Sequence, residues 1–446
     1  MSALARYFKA NGKEISGYDR VSTFLTHELE SEGMKIHYED NINLIPEYIS
    51  DSSNIKNVLI IYTPAIPSNH SELNFFKSHN YTLKKRSEIL GEITKNLYSI
   101  AVAGTHGKTT TSSIIAHILK SSGKDCTAFL GGISKNYNTN FMLPNSIKEN
   151  VPIIVEADEY DKSFLTLYPD IAIITSMDAD HLDIYGDKKQ LEENYQKFSQ
   201  HVKPSGKLFA KQELGFTNNS YSYSIYKEAD FMAVNINIKE HQYVFDLNGK
   251  FGIIKELSLG LPGIHNVENA LVATTVGQYL GIENEMIKEA VKSYSGVKRR
   301  FDLRFNSNGI VYIDDYAHHP EELRACIQSV KELYPNKKIT GIFQPHLYSR
   351  TRDFVDGFAK SLSMLDELIL MDIYPARELP IDGVTSSIIF DKVTIRNKRI
   401  LSDKQIIKEI ESKNFEVLLT LGAGDIDKLV EPIESIFKDK SKIKKV

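Results

Sequence analysis

The chain has 446 residues, of which 41% are hydrophobic and 25% are charged, as is usual for a soluble globular protein of several domains. Its net charge of -4 gives no reason to expect nucleic acid or an anionic membrane as a partner. Two widely separated cysteines exclude a disulfide scaffold and a clustered-cysteine metal site, and no apolar run approaches the ~20 residues of a membrane helix. We therefore expect a cytoplasmic protein without a signal peptide or membrane insertion.

The first part of the chain contains short helices and strands. Residues 9–19 are typical of a helix end, a turn and a strand, and residues 57–67 of a strand that runs into a proline-containing loop. A buried strand over 97–104 and a helix over 108–123 follow. The loop between these last two elements is the first candidate site.

This loop resembles a phosphate-binding loop with altered spacing. The usual loop reads Gly-x-x-x-x-Gly-Lys-Ser/Thr, whereas residues 104–109 read Gly-Thr-His-Gly-Lys-Thr. Its glycines would let backbone amides and the helix N-terminus face a phosphate. Lys108 would supply a charge for the β- and γ-phosphates and Thr109 a hydroxyl for Mg²⁺; the alternative is a chance glycine turn. We expect Lys108 to meet phosphate rather than a protein partner.

Two short apolar runs, 152–158 and 171–177, end in polar residues and are typical of parallel strands buried on both faces. Ligands bind at the carboxyl ends of such strands. The candidate side chains are Glu156, Asp158, Glu159 and Asp161 at the end of the first run, and Asp180, His181 and Asp183 after the second. Because nucleotide-bound Mg²⁺ needs carboxylate ligands, we expect metal ligands here. A solvated acidic loop and a structural histidine are the alternatives.

Residues 231–261 alternate between apolar and polar side chains and contain an Asn-Gly turn, which predicts a small antiparallel insert. The helix that follows, over 265–281, begins with His265, Asn266 and Asn269. The asparagines could cap this helix, or they could hydrogen-bond the edge of an adenine. Both interpretations stay open at this point.

The α/β pattern starts again after residues 296–300, so we place a domain boundary near residue 297. The basic run there is either a surface patch or the source of an arginine for a γ-phosphate. Two later loops, DDYAHHPEE over 314–322 and QPHLYSRTRDF over 344–354, each follow a predicted strand. Such loops can share one crevice, in which Arg350 could hold a carboxylate or phosphate.

Seven segments in this order resemble the motifs of the Mur ligase family, over essentially the whole chain. They are AGTHGKTTT, EADEYD, DADHLDIYG, GIHNVENA, GVKRRFD, DDYAHHPEE and QPHLYSRTRD. The resemblance implies an α/β fold in which a central parallel-sheet P-loop ATPase domain is flanked by two Rossmann-like domains. The implied divisions are 1–97 for a UDP-sugar-binding domain, 98–297 for the ATPase domain and 298–446 for an amino-acid-binding domain.

The resemblance also implies a reaction. A ligase of this kind uses ATP and Mg²⁺ to join L-alanine to the carboxylate of UDP-N-acetylmuramate through an acyl phosphate, in peptidoglycan precursor synthesis. The implied ATP-binding residues are Gly104, Thr105, His106, Gly107, Lys108, Thr109, Thr110, His265, Asn266, Asn269 and Arg300. The implied metal ligands are Thr109, Glu156 and His181. The carboxylate and amino acid would meet at Tyr316, His318 and Arg350, and the implied catalytic residues are Lys108, His318 and Arg350.

Three features depart from the family pattern. Some members carry a second arginine where this chain has Leu347, which places more of the amino-acid anchoring on Arg350. Many members carry a carbamylated lysine after the Asp-His segment, for which Lys197 is the nearest candidate. The helix that begins at Ser2 is preceded in the family by a strand and a glycine-rich turn. We therefore expect an N-terminal domain without its first strand and glycine loop, which would hold UDP-N-acetylmuramate poorly.

Two other interpretations stay open. A sibling ligase would attach a ready-made peptide to the same sugar nucleotide, and a non-catalytic homologue would keep only the nucleotide site. Phosphate release that depends on both UDP-N-acetylmuramate and a free amino acid separates the three. The sequence specifies no oligomeric state.

Overall fold

The computed structural model describes residues 1–64, 66–144, 151–178, 187–376 and 378–443. The chain forms two units, each with its own apolar core. The first consists of Met1–Ile133, Tyr137–Met232 and Val272–Ile287, and the second of Ser134–Asn136, Ala233–Leu271 and Lys288–Val446. In the described ranges no helix is both long enough and apolar enough to cross a membrane.

The N-terminal part of the first unit contains two separate parallel pairs of strands. Strand β1 (Ser16–Tyr18) pairs with β2 (Lys35–His37), and β3 (Leu59–Tyr62) pairs with β4 (Thr82–Lys85). The helices here are α1 (Ser2–Ala10), α2 (Phe24–Ser31), α3 (Glu47–Ser50), α4 (Ser71–Ser78) and α5 (Arg86–Asn96). Leu4 of α1 and Ile89 of α5 enter the main core of the unit.

A mostly parallel sheet forms the centre of the first unit. Its strands are β5 (Ser99–Ala103), β6 (Thr127–Ser134), β7 (Thr139–Met142), β8 (Ile153–Ala157), β9 (Ile171–Ile174), β10 (Lys207–Lys211) and β11 (Ser220–Ser224). They lie in the order β11-β10-β9-β5-β8-β6-β7, with parallel pairing from β11 to β6. Helices α6 (Lys108–Ser121) and α7 (Lys188–Gln200) belong to the same unit. Strands β5 and β9 are buried along their whole length, which explains their continuous apolar sequence.

The second unit contains the predicted antiparallel insert and a six-stranded sheet. The insert consists of β12 (Phe231–Lys239), β13 (Gln242–Gly249) and β14 (Gly252–Leu259), with β13 antiparallel to β14. The sheet consists of β15 (Asp302–Ser307), β16 (Ile310–Asp315), β17 (Ile339–Phe343), β18 (Glu367–Leu370), β19 (Lys398–Ile400) and β20 (Val417–Leu421). These six strands lie in the order β15-β16-β20-β17-β18-β19, and only the β15–β16 pair is antiparallel.

Helices complete the C-terminal half of the chain. They are α8 (Ile264–Tyr279), α9 (Asn284–Ser293), α10 (Pro320–Leu333), α11 (Tyr348–Asp353), α12 (Val355–Leu362), α13 (Ser387–Lys392), α14 (Asp403–Ser412) and α15 (Val430–Ile443). Short 3-10 turns occur at Ile42–Leu44, Ser52–Asn57, Tyr160–Thr166, Gln212–Leu214 and Asp425–Leu429. The expected α/β class, with a central mostly parallel sheet and a C-terminal sheet, is confirmed. The domain divisions after residues 97 and 297 stay a prediction.

Both cysteines lie inside the protein. Cys126 and Cys326 are free thiols and are buried. Burial raises the pKa of Cys126 to about 12, and it raises the pKa of Cys326 well above its ordinary value. Neither thiol therefore has the ionised character of a reactive cysteine.

Candidate active site

The predicted phosphate loop connects β5 to α6. Gly104 has a φ of +136°, and a Cβ atom there would overlap the hydroxyl of Thr175. Helix α6 begins after Gly107, whose φ is +83°. Glycine is therefore required at the first position of the loop, and the N-terminus of α6 faces the loop, as a phosphate site needs.

Side chains that follow β9 hold the loop in place. The His106 amide donates to Ser176 Oγ at 2.8 Å, and Thr175 Oγ1 donates to the His106 carbonyl at 2.5 Å. Thr105 Oγ1 donates to the Asp178 carbonyl at 3.0 Å. Sequence reasoning missed these anchors, although hydroxyl residues directly after a buried strand were a signal for them.

Lys108 crosses the loop to reach a buried carboxylate. Its Nζ donates to the Gly104 carbonyl at 2.6 Å and pairs with Glu159 Oε2 at 2.7 Å. Burial alone would lower the pKa of Lys108, but the charges of Glu159 and its acidic neighbours outweigh burial and raise that pKa above its ordinary value. Lys108 is therefore a cation, but the expectation that it lacks a protein partner was wrong. Glu159 follows β8, which pairs with β5 in the sheet, but it lies 51 residues from Lys108 in the chain. The pairing is therefore not visible in the local sequence.

Glu156 is fixed beside the start of α6. Its carboxylate accepts hydrogen bonds from Thr109 Oγ1 at 3.0 Å, from Ser112 Oγ at 3.3 Å and from the Gly131 amide at 2.5 Å. A Cβ atom at residue 131 would overlap this carboxylate. The predicted pair Thr109 and Glu156 is therefore brought together, and Gly131 of β6 is a supporting residue that the sequence did not reveal.

The donor set suits Mg²⁺ bound jointly with a nucleotide. A hydroxyl and a carboxylate adjoin each other, and Mg²⁺ usually takes one or two carboxylates together with phosphate oxygens and water. Within the described ranges no group of three or more His, Cys, Asp or Glu could hold a metal by itself. The third expected ligand, His181, lies outside the described residues. Lys197, the candidate for carbamylation, is exposed on α7.

The residues predicted for the adenine side lie at the start of α8, in the second unit. Asn266 Nδ2 donates to the Pro262 carbonyl at 2.6 Å, and Asn269 Nδ2 lies 3.4 Å from Asn266 Oδ1. The His265 ring lies 6.3 Å from that of Phe301, the residue after Arg300. In both bonds the asparagine amide donates, whereas a capping side chain accepts from a backbone N–H, so these bonds do not support the capping interpretation. His265 lies near the basic run.

The two adjacent arginines of the basic run, Arg299 and Arg300, lie beside Tyr316. Arg299 Nε contacts Asp314 Oδ2 at 3.1 Å, and its guanidinium also donates to the Gly422 carbonyl at 2.6 Å. Both guanidinium groups lie over the Tyr316 ring, with Cζ 5.2 Å from the ring centroid for Arg299 and 5.1 Å for Arg300. Arg299 therefore holds strand ends together. Arg300, the predicted phosphate contact, lies beside Tyr316, a predicted site residue.

Asp315 lies inside the segment DDYAHHPEE but was not singled out by sequence reasoning. Its carboxylate accepts from the Phe301 amide at 2.6 Å and from the Ala317 amide at 2.8 Å. Burial raises the pKa of Asp315 to about 6, although the Arg300 charge opposes this shift. Through its two hydrogen bonds, the Asp315 carboxylate links Phe301, directly after the basic run, to Ala317 in the loop after β16.

His318 follows Tyr316 in that loop. Its Nδ1 lies 2.9 Å from the Tyr316 carbonyl, which can only accept, so Nδ1 carries the proton and Nε2 the lone pair. Burial lowers the pKa of His318, and the charges of Arg350 and Arg300 lower it further, against Glu322. His318 is therefore a neutral imidazole near pH 7.

His346 and Arg350 bring the second predicted loop to the same place. The rings of His318 and His346 lie 6.0 Å apart. Burial lowers the pKa of His346 to about 4, and the charges of His318 and Arg350 act in the same direction. Among the described residues, His346 Nδ1 is buried without a hydrogen-bond partner. The loops after β16 and β17 thus lie side by side, and His346 adds a group that was not singled out. That the two loops line one crevice stays a prediction.

Three family profiles match successive segments of the chain. Residues 1–98 match the profile described as "Mur ligase family, catalytic domain", residues 102–277 "Mur ligase middle domain", and residues 299–424 "Mur ligase, glutamate ligase domain". The three matches together span most of the chain.

Individual relatives match over nearly their full length. The chain is 49% identical to a UDP-N-acetylmuramate–L-alanine ligase of Flavobacterium johnsoniae, covering 98% of this chain and 96% of that one, and 49% identical to one of Parabacteroides distasonis, covering 98% and 94%. The crystal structure of UDP-N-acetylmuramate-alanine ligase MurC from Thermotoga maritima superimposes with a TM-score of 0.83 at 27% identity, covering 99% of this chain and 97% of that one. The chain therefore belongs to the Mur ligase family.

Proposed function

We propose that the protein is an ATP-dependent ligase that joins L-alanine to the carboxylate of UDP-N-acetylmuramate, in cytoplasmic peptidoglycan precursor synthesis. The observation that carries the proposal is 49% identity, over 98% of the chain, to a ligase of that name. The phosphate loop with Lys108 and the crevice with His318 and Arg350 supply chemistry that suits this reaction. Residues 1–97, 98–297 and 298–446 would bind the UDP-sugar, ATP and the amino acid, respectively.

The reaction needs an activated acyl group, because a carboxylate is a poor acyl donor. A carboxylate oxygen of UDP-N-acetylmuramate takes the γ-phosphoryl group of ATP, which gives an acyl phosphate and ADP. The free amine of L-alanine then attacks the acyl carbon, and the tetrahedral intermediate expels inorganic phosphate. The amide bond forms, and the proton that the amine loses goes to a base. Catalysis then consists mainly of positioning and charge neutralisation.

The phosphate-loop residues serve the first step. Lys108 remains protonated in its acidic surroundings and would place its charge against the transferring phosphoryl group. Thr109 and Glu156 would hold Mg²⁺, which neutralises phosphate charge when bound. Arg300, which lies over the Tyr316 ring, would contact phosphate.

The crevice residues serve the second step. A neutral His318 with a free lone pair on Nε2 can take the proton that the alanine ammonium must lose. Arg350 would bind the amino-acid carboxylate with its forked guanidinium, and the Tyr316 ring would pack beside the reacting groups. Because His346 is also neutral near pH 7, it adds no positive charge beside Arg350.

The test is a phosphate-release assay with the purified chain. We expect release only when ATP, Mg²⁺, UDP-N-acetylmuramate and L-alanine are all present, and mass spectrometry should find the amide product. Release that requires a peptide instead of L-alanine would identify the sibling ligase. A protein that binds ATP but releases no phosphate with any combination would be the non-catalytic homologue.

A further inference from the structure

The two loops that follow the neighbouring strands β17 and β18 are joined by backbone hydrogen bonds. The Tyr374 amide donates to the Pro345 carbonyl at 2.9 Å, and the Leu347 amide donates to the Tyr374 carbonyl at 2.9 Å. The rings of His346 and Tyr374 stack with centroids 5.7 Å apart. The conformation of the loop that carries His346 therefore depends on the loop after β18.

Leu347, between His346 and α11, has an unusual backbone conformation. Its φ is +70° and its ψ is 138°, a region that residues with a side chain rarely adopt. Thr351 Oγ1 donates to the Leu347 carbonyl at 2.7 Å, so both backbone polar groups of Leu347 are engaged. A strained residue persists only where its surroundings hold it. The start of α11 is thus fixed by contacts rather than by local preference.

Glu378 supplies one of these contacts from the loop after β18. Its carboxylate accepts a hydrogen bond from the Ser349 amide at 2.9 Å and another from Ser349 Oγ. Hydrogen bonds to an ionised carboxylate are stronger than those between neutral groups. Ser349 directly precedes Arg350, so Glu378 holds the peptide from which the Arg350 side chain extends.

We propose that Glu378 is a positioning residue of the amino-acid crevice: by holding Ser349, it sets Arg350 at the place where the substrate carboxylate binds. This inference rests on the proposed function, which assigns Arg350 to the amino acid. Glu378 itself need not touch the substrate. It acts on the binding of the amino acid, and not on the phosphate loop.

The experiment compares KM values of Glu378→Ala and Glu378→Gln with those of the unaltered chain. We expect Glu378→Ala to raise the KM for L-alanine by about tenfold or more, the size expected for losing hydrogen bonds to a charged group. The KM for ATP and the melting temperature should stay close to their original values. Glu378→Gln, which keeps one oxygen acceptor, should recover part of the loss.

Leu379→Ala is the matched control, because Leu379 lies next to Glu378 and is 84% exposed. Ser349→Ala removes only the hydroxyl bond and should give an intermediate KM for L-alanine. An unchanged KM for L-alanine in an active Glu378→Ala protein would overturn this inference alone, as would equal increases in the KM of every substrate. An unaltered chain that turns over no free amino acid would overturn the proposed function, and this inference with it.

Discussion

Lys108 pairs with a carboxylate of the protein itself, that of Glu159. The pair is largely shielded from water, with the Glu159 side chain only 3% exposed, and the Lys108 ammonium also bonds to a loop carbonyl. Removing one member of such a pair leaves the other charge buried and unmatched. Lys108 therefore contributes to the stability of the protein as well as to the proposed phosphate contact.

Replacing Lys108 with alanine should abolish L-alanine-dependent phosphate release and lower the free energy of unfolding by about 3 kcal/mol. Product formation and urea unfolding measure the two effects separately. Adding Glu159→Gln to Lys108→Ala should restore part of the stability, because the unmatched charge is gone, but none of the activity. Near-normal turnover by a folded Lys108→Ala protein would refute the phosphate-loop assignment.

Asp315 should make the stability of the protein depend on pH. Burial raises the pKa of Asp315 from 3.8 to about 6. Between these two pH values, the folded chain therefore keeps a proton that the unfolded chain has lost. This contribution to stability is complete below about pH 4 and disappears as the pH rises through about 6.

Replacing Asp315 with asparagine should remove that dependence. We expect the free energy of unfolding of the unaltered chain, measured by denaturant titration, to decline relative to that of Asp315→Asn between pH 4 and pH 6. Above this range the difference between the two proteins should be constant. If the free energies of unfolding of the two proteins changed in parallel across the whole pH range, the Asp315 carboxyl group would titrate alike in the folded and unfolded chains.

At the scale of elements, strand β6 brings its backbone against the proposed metal ligand. The Gly131 amide bonds to Glu156 Oε1 at 2.5 Å, and a Cβ atom at residue 131 would overlap this carboxylate unless the Glu156 side chain moved. The close approach fixes the carboxylate that Thr109 also contacts. The constraint at residue 131 is therefore the position of the carboxylate and not an unusual backbone angle.

Gly131→Ala should therefore displace the Glu156 carboxylate. We expect at least about a tenfold loss of turnover and a higher Mg²⁺ concentration for half-maximal rate, as for loss of a ligand-supporting contact. Gly17→Ala in β1 is the control for stability, since a Cβ atom there meets nothing within 4 Å. If Gly131→Ala kept the original Mg²⁺ dependence of turnover, Glu156 would not be a ligand of the metal.

The elements themselves were predictable because their sequence signals are local. Strands β5, β8 and β9 are short and mostly apolar, and α6 begins after Gly107 and is followed by Gly123 with a φ of +73°. The contacts that shape the site depend on residues far apart in the chain. Glu159 lies 51 residues from Lys108 and Glu156 lies 25 from Gly131, and no local pattern marks either pair.

At the scale of the whole molecule, the antiparallel insert packs within the second unit. Tyr243 OH donates to Glu332 Oε2 at 2.6 Å, and the His241 ring stacks on that of Tyr334 with centroids 5.0 Å apart. The insert precedes residue 297 in the chain, yet these partners lie at the end of α10. Sequence order alone could not reveal this grouping, because only the folded chain brings the two segments together.

Tyr243→Phe should loosen this contact. We expect amide hydrogen exchange to accelerate about fivefold in residues 239–243 and at the end of α10, and to stay unchanged in β5 and α6. Tyr226→Phe is the control, since Tyr226 is 71% exposed. Unchanged exchange in Tyr243→Phe would show that the tyrosine hydroxyl does not hold the insert.

The burial of both cysteines has a practical consequence for fluorescence work. Thiols that are enclosed and weakly acidic react slowly with maleimides, so the unaltered chain should show little background labelling. A single dye could then be attached at Leu379→Cys without removing either native cysteine, because that position is 84% exposed. Placed beside Glu378, such a dye would report directly on the loop when an amino acid is added.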